Sequence, residues 1–288
     1  TSRRLHSASP AKRRRLTRPP AWPMPDHVTA SRPLLRIAYP VSWSRPDRRA
    51  CSAQSMATIA ALARAGHEMV MLMPRRHGDL RLSPADLRAH FEVEGDFCLV
   101  QRDSRWSGDR APAAAAWLLR AFRDPALRSS DALLCRTPVI LGLGVGARVP
   151  FAFDHYRPWP DELPFGRAIV RRLSKSSGCL GFISHSRFAG ESYARAGVDP
   201  KKLLVAHNGV ETDRLGTPIA ADEARARLDL PSDRPIILYA GRLNAEKGID
   251  QLLAMAALRP GYSFVLVGSE GEGSIERAAR AHSNVRIV

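Results

Sequence analysis

The sequence predicts an α/β chain built on two parallel sheets, the second of them incomplete. Three observations carry that reading. From Leu34 onward, short apolar runs alternate with helical stretches, the pattern of a parallel sheet with crossover helices. The alternation pauses over residues 211–234, rich in charge, Pro and Ala around one short helix, and restarts at Ile236. Only three strands follow before Val288, whereas an open doubly wound sheet usually has about five or six. The organisation expected is a tail over 1–33, an N-terminal Rossmann-like domain over 34–212, a linker over 213–234 and a partial C-terminal domain over 235–288. The last strand ends on the last residue, which reads as a cut.

Each element has its own justification. The tail mixes Arg, Ser and Pro without periodicity, so it should not pack, and it holds no apolar segment of the secretory-signal kind. Runs rich in Val, Ile, Leu, Met and Phe predict strands over 34–39, 69–73, 97–101, 132–135, 150–154, 179–184 and 203–206. Helices fall between them, notably over 52–65, 112–122, 164–175 and 187–196, the last with Ser186 as its N-cap. The second domain reads as a strand over 236–239, a helix from Glu246, a strand over 264–267, a helix near 274–281 and a strand over 285–288.

Composition excludes several classes. The 288 residues carry 44 Lys and Arg against 28 Asp and Glu, a net charge of +16. An excess of that size invites a nucleic-acid or membrane reading. Yet the first 33 residues hold eight basic residues and one acid, so nearly half of the excess lies in the tail. Only five of the 44 are Lys, so part of the excess reflects an Arg- and Ala-leaning composition, and nucleic acid is not the expected partner. No run reaches the ~18 uninterrupted apolar residues of a membrane span. Cys51, Cys98, Cys135 and Cys179 form no CxxC pair, so neither a zinc site nor a disulfide framework is expected. Cys98 and Cys135 lie in apolar runs and read as buried thiols in a reducing cytoplasm.

The most specific segment is Ala240-Gly241-Arg242-Leu243-Asn244-Ala245-Glu246-Lys247-Gly248, directly after the buried-type run IILYA. Gly241 allows a tight turn at the strand's carboxyl end, and Asn244 is placed to cap the helix that follows. A helix N-terminus there offers free N–H groups to an anion, flanked by Arg242 as a fork and Lys247 as a point charge. That arrangement suits a diphosphate leaving group; an ordinary βα turn with two solvated cations would look the same. No GxxxxGK[ST] loop is present, which argues against a P-loop NTPase. Gly142-x-Gly144-x-x-Ala147 formally matches a dinucleotide fingerprint, but Pro150 and another strand follow where its helix should run.

With GRLNAEKG, the upstream segment VAHNGVE (205–211) resembles the paired signatures of glycosyltransferase family 4. LLRIAYP with ALARAGHEMVMLMP, and GFISHSRFAGESYARAGVDPKKLLVAHNGVE, resemble further landmarks of that family in the same order. The resemblance covers about 34–288 and implies a GT-B fold of two Rossmann-like domains. It also implies sugar transfer from a nucleotide-sugar donor to an acceptor held by the N-terminal domain, with retention and without a metal or bound cofactor. Arg242 and Lys247 match the diphosphate-binding pair, with Gly241 and Gly248 around them. Gly268 and the Gly271/Gly273 turn match a glycine-rich loop beside the donor nucleotide. Asn208 and Gly209 match the passage toward the cleft, although His207 stands where Pro is commoner.

The segment FAFDHYRPW (151–159) ends a strand at the sheet edge where open α/β folds place their sites. Relatives carry groups there that contact the transferred sugar or the acceptor, so Asp154, His155 and Arg157 are the catalytic candidates; a loop cap and a packed His would look alike. In the family a glycine-rich loop follows the first strand. Here residues 41–52 have no Gly, and Arg48 or Arg49 would serve instead. The helix over 164–175 sets Arg167, Arg171 and Lys175 on one stripe and Phe165, Ile169 and Leu173 on the opposite one. That pattern suits peripheral contact with an anionic membrane or a plain surface helix.

The function expected is therefore glycosyl transfer to an unidentified saccharide, lipid or small-molecule acceptor, in the cytoplasm. The family's later pair of glutamates has no counterpart before Val288, so the 288 residues alone are expected to be inactive and prone to associate. A nucleotide-sugar epimerase of the same fold and a basic nucleic-acid-binding protein are the alternatives.

Overall fold

The computed structural model describes residues 34–47, 49–104, 111–136, 149–210, 216–268 and 273–288. The 1–33 tail, Arg48, the 142–147 glycine segment and Gly271 lie outside them. The chain divides into two compact units, Thr1–Asn208 and Gly209–Val288.

The first unit holds seven strands: β1 (Arg36–Pro40), β2 (Glu68–Arg75), β3 (Phe97–Asp103), β4 (Ala132–Cys135), β5 (Phe151–His155), β6 (Cys179–Ser184) and β7 (Leu203–Val205). They form one sheet in the order β3-β2-β1-β4-β5-β6-β7, and every pairing is parallel. Crossovers wind one way from β1 to β3 and the other way from β4 to β7, so the order reverses between β1 and β4. In open α/β sheets that reversal opens a crevice at the carboxyl ends of the strands. The helices are α1 (Ala50–Arg64), α2 (Pro84–Phe91), α3 (Ala111–Ala121), α4 (Pro125–Arg128), α5 (Trp159–Glu162), α6 (Gly166–Ser174) and α7 (Arg187–Arg195).

β2 shows why a sheet forms here. Six consecutive residues of EMVMLMPR are buried, as a strand covered on both faces requires. With period-2 alternation, Met69, Met71 and Met73 enter one core with Tyr39, Met56 and Ile59, while Leu72 enters the other with Trp117, Phe151 and Phe153. The two cores sit on the two faces of one sheet. α2, which the strand–helix alternation passes over, carries its own signal: Ser83 and Asp86 form a reciprocal capping box, and Pro84 is its first residue. Ser186 caps α7 as its sequence suggests, accepting from Ala189 N at 3.2 Å.

Two expectations fail on burial in the first unit. Cys98 is exposed, because β3 is an edge strand and Cys98 alternates with the buried Phe97. In α6 the buried stripe is Gly166, Val170, Leu173 and Ser174, whereas Phe165 is 84% exposed and Ile169 is partly exposed. The helix begins only at Gly166, because Phe165 has a left-handed backbone (φ 59°), and the buried face rotates accordingly. Arg167 pairs with Asp161, and Arg171 lies along Gly197, so the basic stripe partly serves the protein itself.

The second unit carries α8 (Ala221–Arg227), β8 (Ile236–Ala240), α9 (Ile249–Leu258), β9 (Ser263–Val267), α10 (Ser274–Ala279) and β10 (Val285–Ile287). Its sheet has the parallel order β10-β9-β8, with Ile249, Leu253, Leu266 and Ala279 as its buried core. The stretch read as a linker belongs to this unit: Arg286 donates to the Leu228 and Asp229 carbonyls, and Arg225 to those of Pro231 and Arg234. IILYA is not fully buried, because β8 is an edge of this sheet and Leu238 is 65% exposed.

Candidate functional site

At the reversal between β1 and β4, a cavity of about 500 Å³ opens over the carboxyl ends of β1, β4 and β5. Tyr39, Trp43, Arg49, Arg136, His155 and Arg157 are among the residues that line it. The glycine-free loop after β1 forms one wall and is pinned by side chains instead of tight turns. Trp117 Nε1 donates to the Val41 carbonyl at 2.6 Å, Trp43 packs on Phe91, and Arg45 pairs with Asp79 across to the loop after β2. Arg49 pairs with Asp47 at 2.7 Å and still lines the cavity.

The three β5 candidates separate. Asp154 is buried and is not among the described residues that line the cavity. Its Oδ1 lies 2.5 Å from His185 Nε2, and its Oδ2 lies 3.9 Å from Arg136 Nε. His155 is in the wall, stacked on Phe153 at 5.5 Å and on Tyr156 at 4.8 Å, with Trp159 edge-on. Its Nδ1 accepts from the Arg157 backbone N–H at 3.0 Å, and Trp159 Nε1 stands 2.7 Å from the same atom. A backbone N–H can only donate, so Nδ1 is unprotonated and Nε2 carries the ring proton. Burial, then the charges of Arg136, Arg157 and His185, push the His155 pKa down to about 3. At neutral pH it is therefore a neutral ring whose basic nitrogen is already engaged. Arg157 pairs with Glu162 at 2.7 Å and stacks over Trp159, presenting part of its guanidinium to the cavity.

Behind the wall lies a polar cluster that no motif revealed. Gln54, on α1, accepts from Arg136 Nη2 at 2.7 Å, and its amide nitrogen lies 3.1 Å from His185 Nδ1 and bonds the side chain of Asn208. Asn208, read from sequence as lying toward the donor, thus uses its side chain inside the first unit. Gly209 has open space around it. A polar residue on the first two turns of a helix that follows a sheet-edge loop was the available signal for Gln54; for Arg136 it was its place immediately after β4.

In the second unit the turn after β8 is shaped by two glycines. Gly241 (φ 151°) and Gly268 (φ 119°) end β8 and β9 side by side, and a Cβ on Gly268 would stand 2.4 Å from the Gly241 carbonyl oxygen. Only glycine fits that approach. Asn244 does not cap with its side chain; a 3-10 turn (Ala245–Lys247) intervenes, and α9 starts after Gly248 (φ 74°). The Asn244 Oδ1 is left buried without a partner among the described residues. Arg242 and Lys247 are exposed on this turn, and neither forms an ion pair among the described residues. Gly273 begins α10, its N–H bonded to Glu276 at 2.9 Å. Among the described residues no group of three or more His, Cys, Asp or Glu could hold a metal ion, and no helix is long and apolar enough to cross a membrane.

Comparison with known proteins agrees with this architecture. Residues 55–214 match the family model described as Glycosyltransferase Family 4, and residues 220–285 match that described as Glycosyl transferases group 1. D-inositol 3-phosphate glycosyltransferase of Streptomyces scabiei is 43% identical over 70 residues, covering 24% of this chain and 16% of that protein. The protein of the same name from Mycolicibacterium smegmatis is 39% identical over 70 residues, with the same shares. The matched region thus spans about a sixth of these curated relatives. Among solved structures, Anabaena Alr3699/HepE in complex with UDP-glucose superposes with a TM-score of 0.56 at 14% identity, covering 88% of this chain and 68% of that one. Sucrose-phosphate synthase from Thermosynechococcus elongatus gives 0.59 at 18%, covering 88% and 70%. These likenesses show the fold, two Rossmann-like units of the GT-B kind, and the family model that matches more than half of the chain shows its kinship. The chain belongs to glycosyltransferase family 4.

Proposed function

We propose that the chain transfers a sugar from a nucleotide-sugar donor to an acceptor, the second unit receiving the donor diphosphate and the first unit receiving the acceptor. The observation that carries this reading is the turn after β8. There two cations without ion-pair partners among the described residues, Arg242 and Lys247, stand on backbone brought close by Gly241 and Gly268, within a region matching a glycosyltransferase model. As the donor bond breaks, charge accumulates on the departing diphosphate, and a guanidinium fork with an ammonium beside it stabilises that charge. Gly268 and Gly273 would flank the nucleotide. Family membership favours this reading over an epimerase or a nucleic-acid-binding protein.

In the first unit, His155 is a neutral ring and not a free base: Nδ1 accepts from the Arg157 backbone, and Trp159 Nε1 lies 2.7 Å from Nδ1 and 3.0 Å from Nε2. Asp154 acts through His185 and Arg136 as a positioning group. With both basic centres engaged, the proton of the attacking hydroxyl has the leaving diphosphate as its natural acceptor, which suits transfer with retention on one face of the sugar. No metal enters this scheme. Peripheral contact with an anionic surface through Arg167, Arg171 and Lys175 remains part of the reading, with Phe165 as the exposed apolar residue beside them.

The test is UDP binding to the 288-residue chain. Arg242→Ala and Lys247→Ala should each weaken it by about tenfold, the value of a charge-assisted contact. UDP affinity unchanged in both variants would overturn the donor assignment.

A further inference from the structure

We propose that the cavity of the first unit is an oxyanion site anchored by Arg136, so that the acceptor carries a phosphate or carboxylate group beside the hydroxyl it offers. This inference rests on the acceptor-side reading of the first unit.

Arg136 follows β4 directly, at the reversal of strand order, and its side chain is 11% exposed. Nη2 donates to Gln54, and Nε stands 3.9 Å from Asp154. Nη1 is buried and has no partner among the described residues. A guanidinium nitrogen left without an acceptor out of water is costly. Arg136 also lines the cavity, and an oxyanion seated there would set negative charge beside that under-satisfied guanidinium. The lining supports one sign of charge. Arg49 and Arg157 join Arg136 there, and among the described residues no Asp or Glu lines the cavity. The carboxylates of Asp154 and Glu162, which balance Arg136 and Arg157, lie outside its lining. His155, held neutral by burial and by those same guanidiniums, adds no charge of either sign.

Gln54 aims the anchor. Its carboxamide accepts from Arg136 on one side and reaches His185 and Asn208 with its amide nitrogen on the other. A carboxamide accepts and donates without carrying charge, so Gln54 adds no counter-ion to quench Arg136. Gln54 is thus a positioning residue for the anion site. A phosphate and a carboxylate present the same forked oxygens to a guanidinium, so oxyanion chemistry is what the cavity selects.

The experiment titrates orthophosphate, acetate and neutral glycerol into the 288-residue chain carrying Arg242→Ala and Lys247→Ala, which removes the other cation pair. Orthophosphate and acetate should bind and glycerol should not. Arg136→Gln should weaken phosphate binding by about tenfold or more, while Arg120→Gln, an exposed change on α3, should leave it unchanged. Gln54→Glu keeps Arg136 but hands it an internal carboxylate; it should weaken phosphate to a similar degree, and it serves where Arg136→Gln does not fold. Phosphate binding that is absent in this background, or is equal with Gln and Glu at position 54, overturns the proposal. Glycerol phosphate that displaces orthophosphate without co-sedimentation on phosphatidylglycerol vesicles marks a free anionic acceptor. Co-sedimentation that requires Arg136 marks a lipid headgroup, and both results support the site. UDP binding in the parent chain is read separately: if UDP binds through Arg242 and Lys247 while phosphate ignores Arg136, this inference fails alone. In the converse case the donor assignment fails alone.

Discussion

His185 Nε2 stands 2.5 Å from Asp154 Oδ1, and both side chains are buried beneath the cavity. The Gln54 amide nitrogen faces His185 Nδ1, so Nδ1 accepts and Nε2 carries the proton that goes to Asp154. Breaking such a pair from one side leaves the other group buried and unpaired, which costs more than removing both. His185→Ala should therefore lower stability by about 3 kcal/mol, and Asp154→Asn with His185→Ala should cost less than the sum of the two single changes. Urea denaturation of the four proteins measures the coupling; strict additivity would show that the contact is not energetically specific.

His155 supplies a pH signature. Its pKa lies near 3 in the folded chain, mainly through burial and then through Arg136, Arg157 and His185, against an ordinary value near 6.5. Above that ordinary value the ring is neutral in both states and the full stability is present. As pH falls below it, the unfolded chain takes up a proton that the folded chain refuses until about 3. Stability should decline by up to about 1.4 kcal/mol per pH unit across that window. Comparing denaturation at pH 7 and 5 in the parent and in His155→Asn tests it: the variant should lose most of the slope. An equal slope in both would assign the pH response to other groups.

Much of the fold was legible because strand and helix periods differ, and a doubly covered strand such as MVMLMP admits few other readings. Chain order also exposed the turn after β8, since GRLNAEKG is contiguous. The cavity of the first unit was legible only in part. His155 and Arg157 sit on one strand end, but Gln54, Arg136 and His185 come together from α1, β4 and the end of β6, 131 residues apart at the widest. Pairings at that separation leave no local pattern. Helix phase at α6 failed for a related reason: the helix starts only after the left-handed Phe165, and its first residue, Gly166, packs against the Trp159 and Pro160 carbonyls of α5, a contact that helical period alone does not show.

Gly268 offers a sharp steric test in the second unit. A methyl group there would meet the Gly241 carbonyl oxygen at 2.4 Å, and the Gly268 backbone is already in the left-handed region. The strands cannot separate without breaking the Gly241 N to Val267 O bond of 2.9 Å. Gly268→Ala should destabilise the second unit by about 2–3 kcal/mol and reduce UDP affinity with it. Gly261→Ala, where nothing stands within 4 Å of the added carbon, should change UDP binding little. Thermal melts with and without UDP compare the two; similar behaviour would show that the β8–β9 approach is not a constraint on the turn after β8.

The exposed edge of β8 sets the last expectation. β8 pairs with β9 on one side, and its other edge has no strand partner among the described residues. Strands in parallel sheets are ordinarily covered on both faces, yet Leu238 at the middle of β8 is 65% exposed. An apolar strand with unpaired N–H and C=O groups is a template for another copy of itself. The 288-residue chain should therefore self-associate at concentrations on the order of 10–100 µM. Leu238→Lys, placing a charge on that edge, should reduce the association while leaving the β8–β9 ladder in place. Light scattering over a concentration series reads both proteins. A parent chain that stays monomeric throughout, or a Lys variant that associates equally, would locate the cause away from β8.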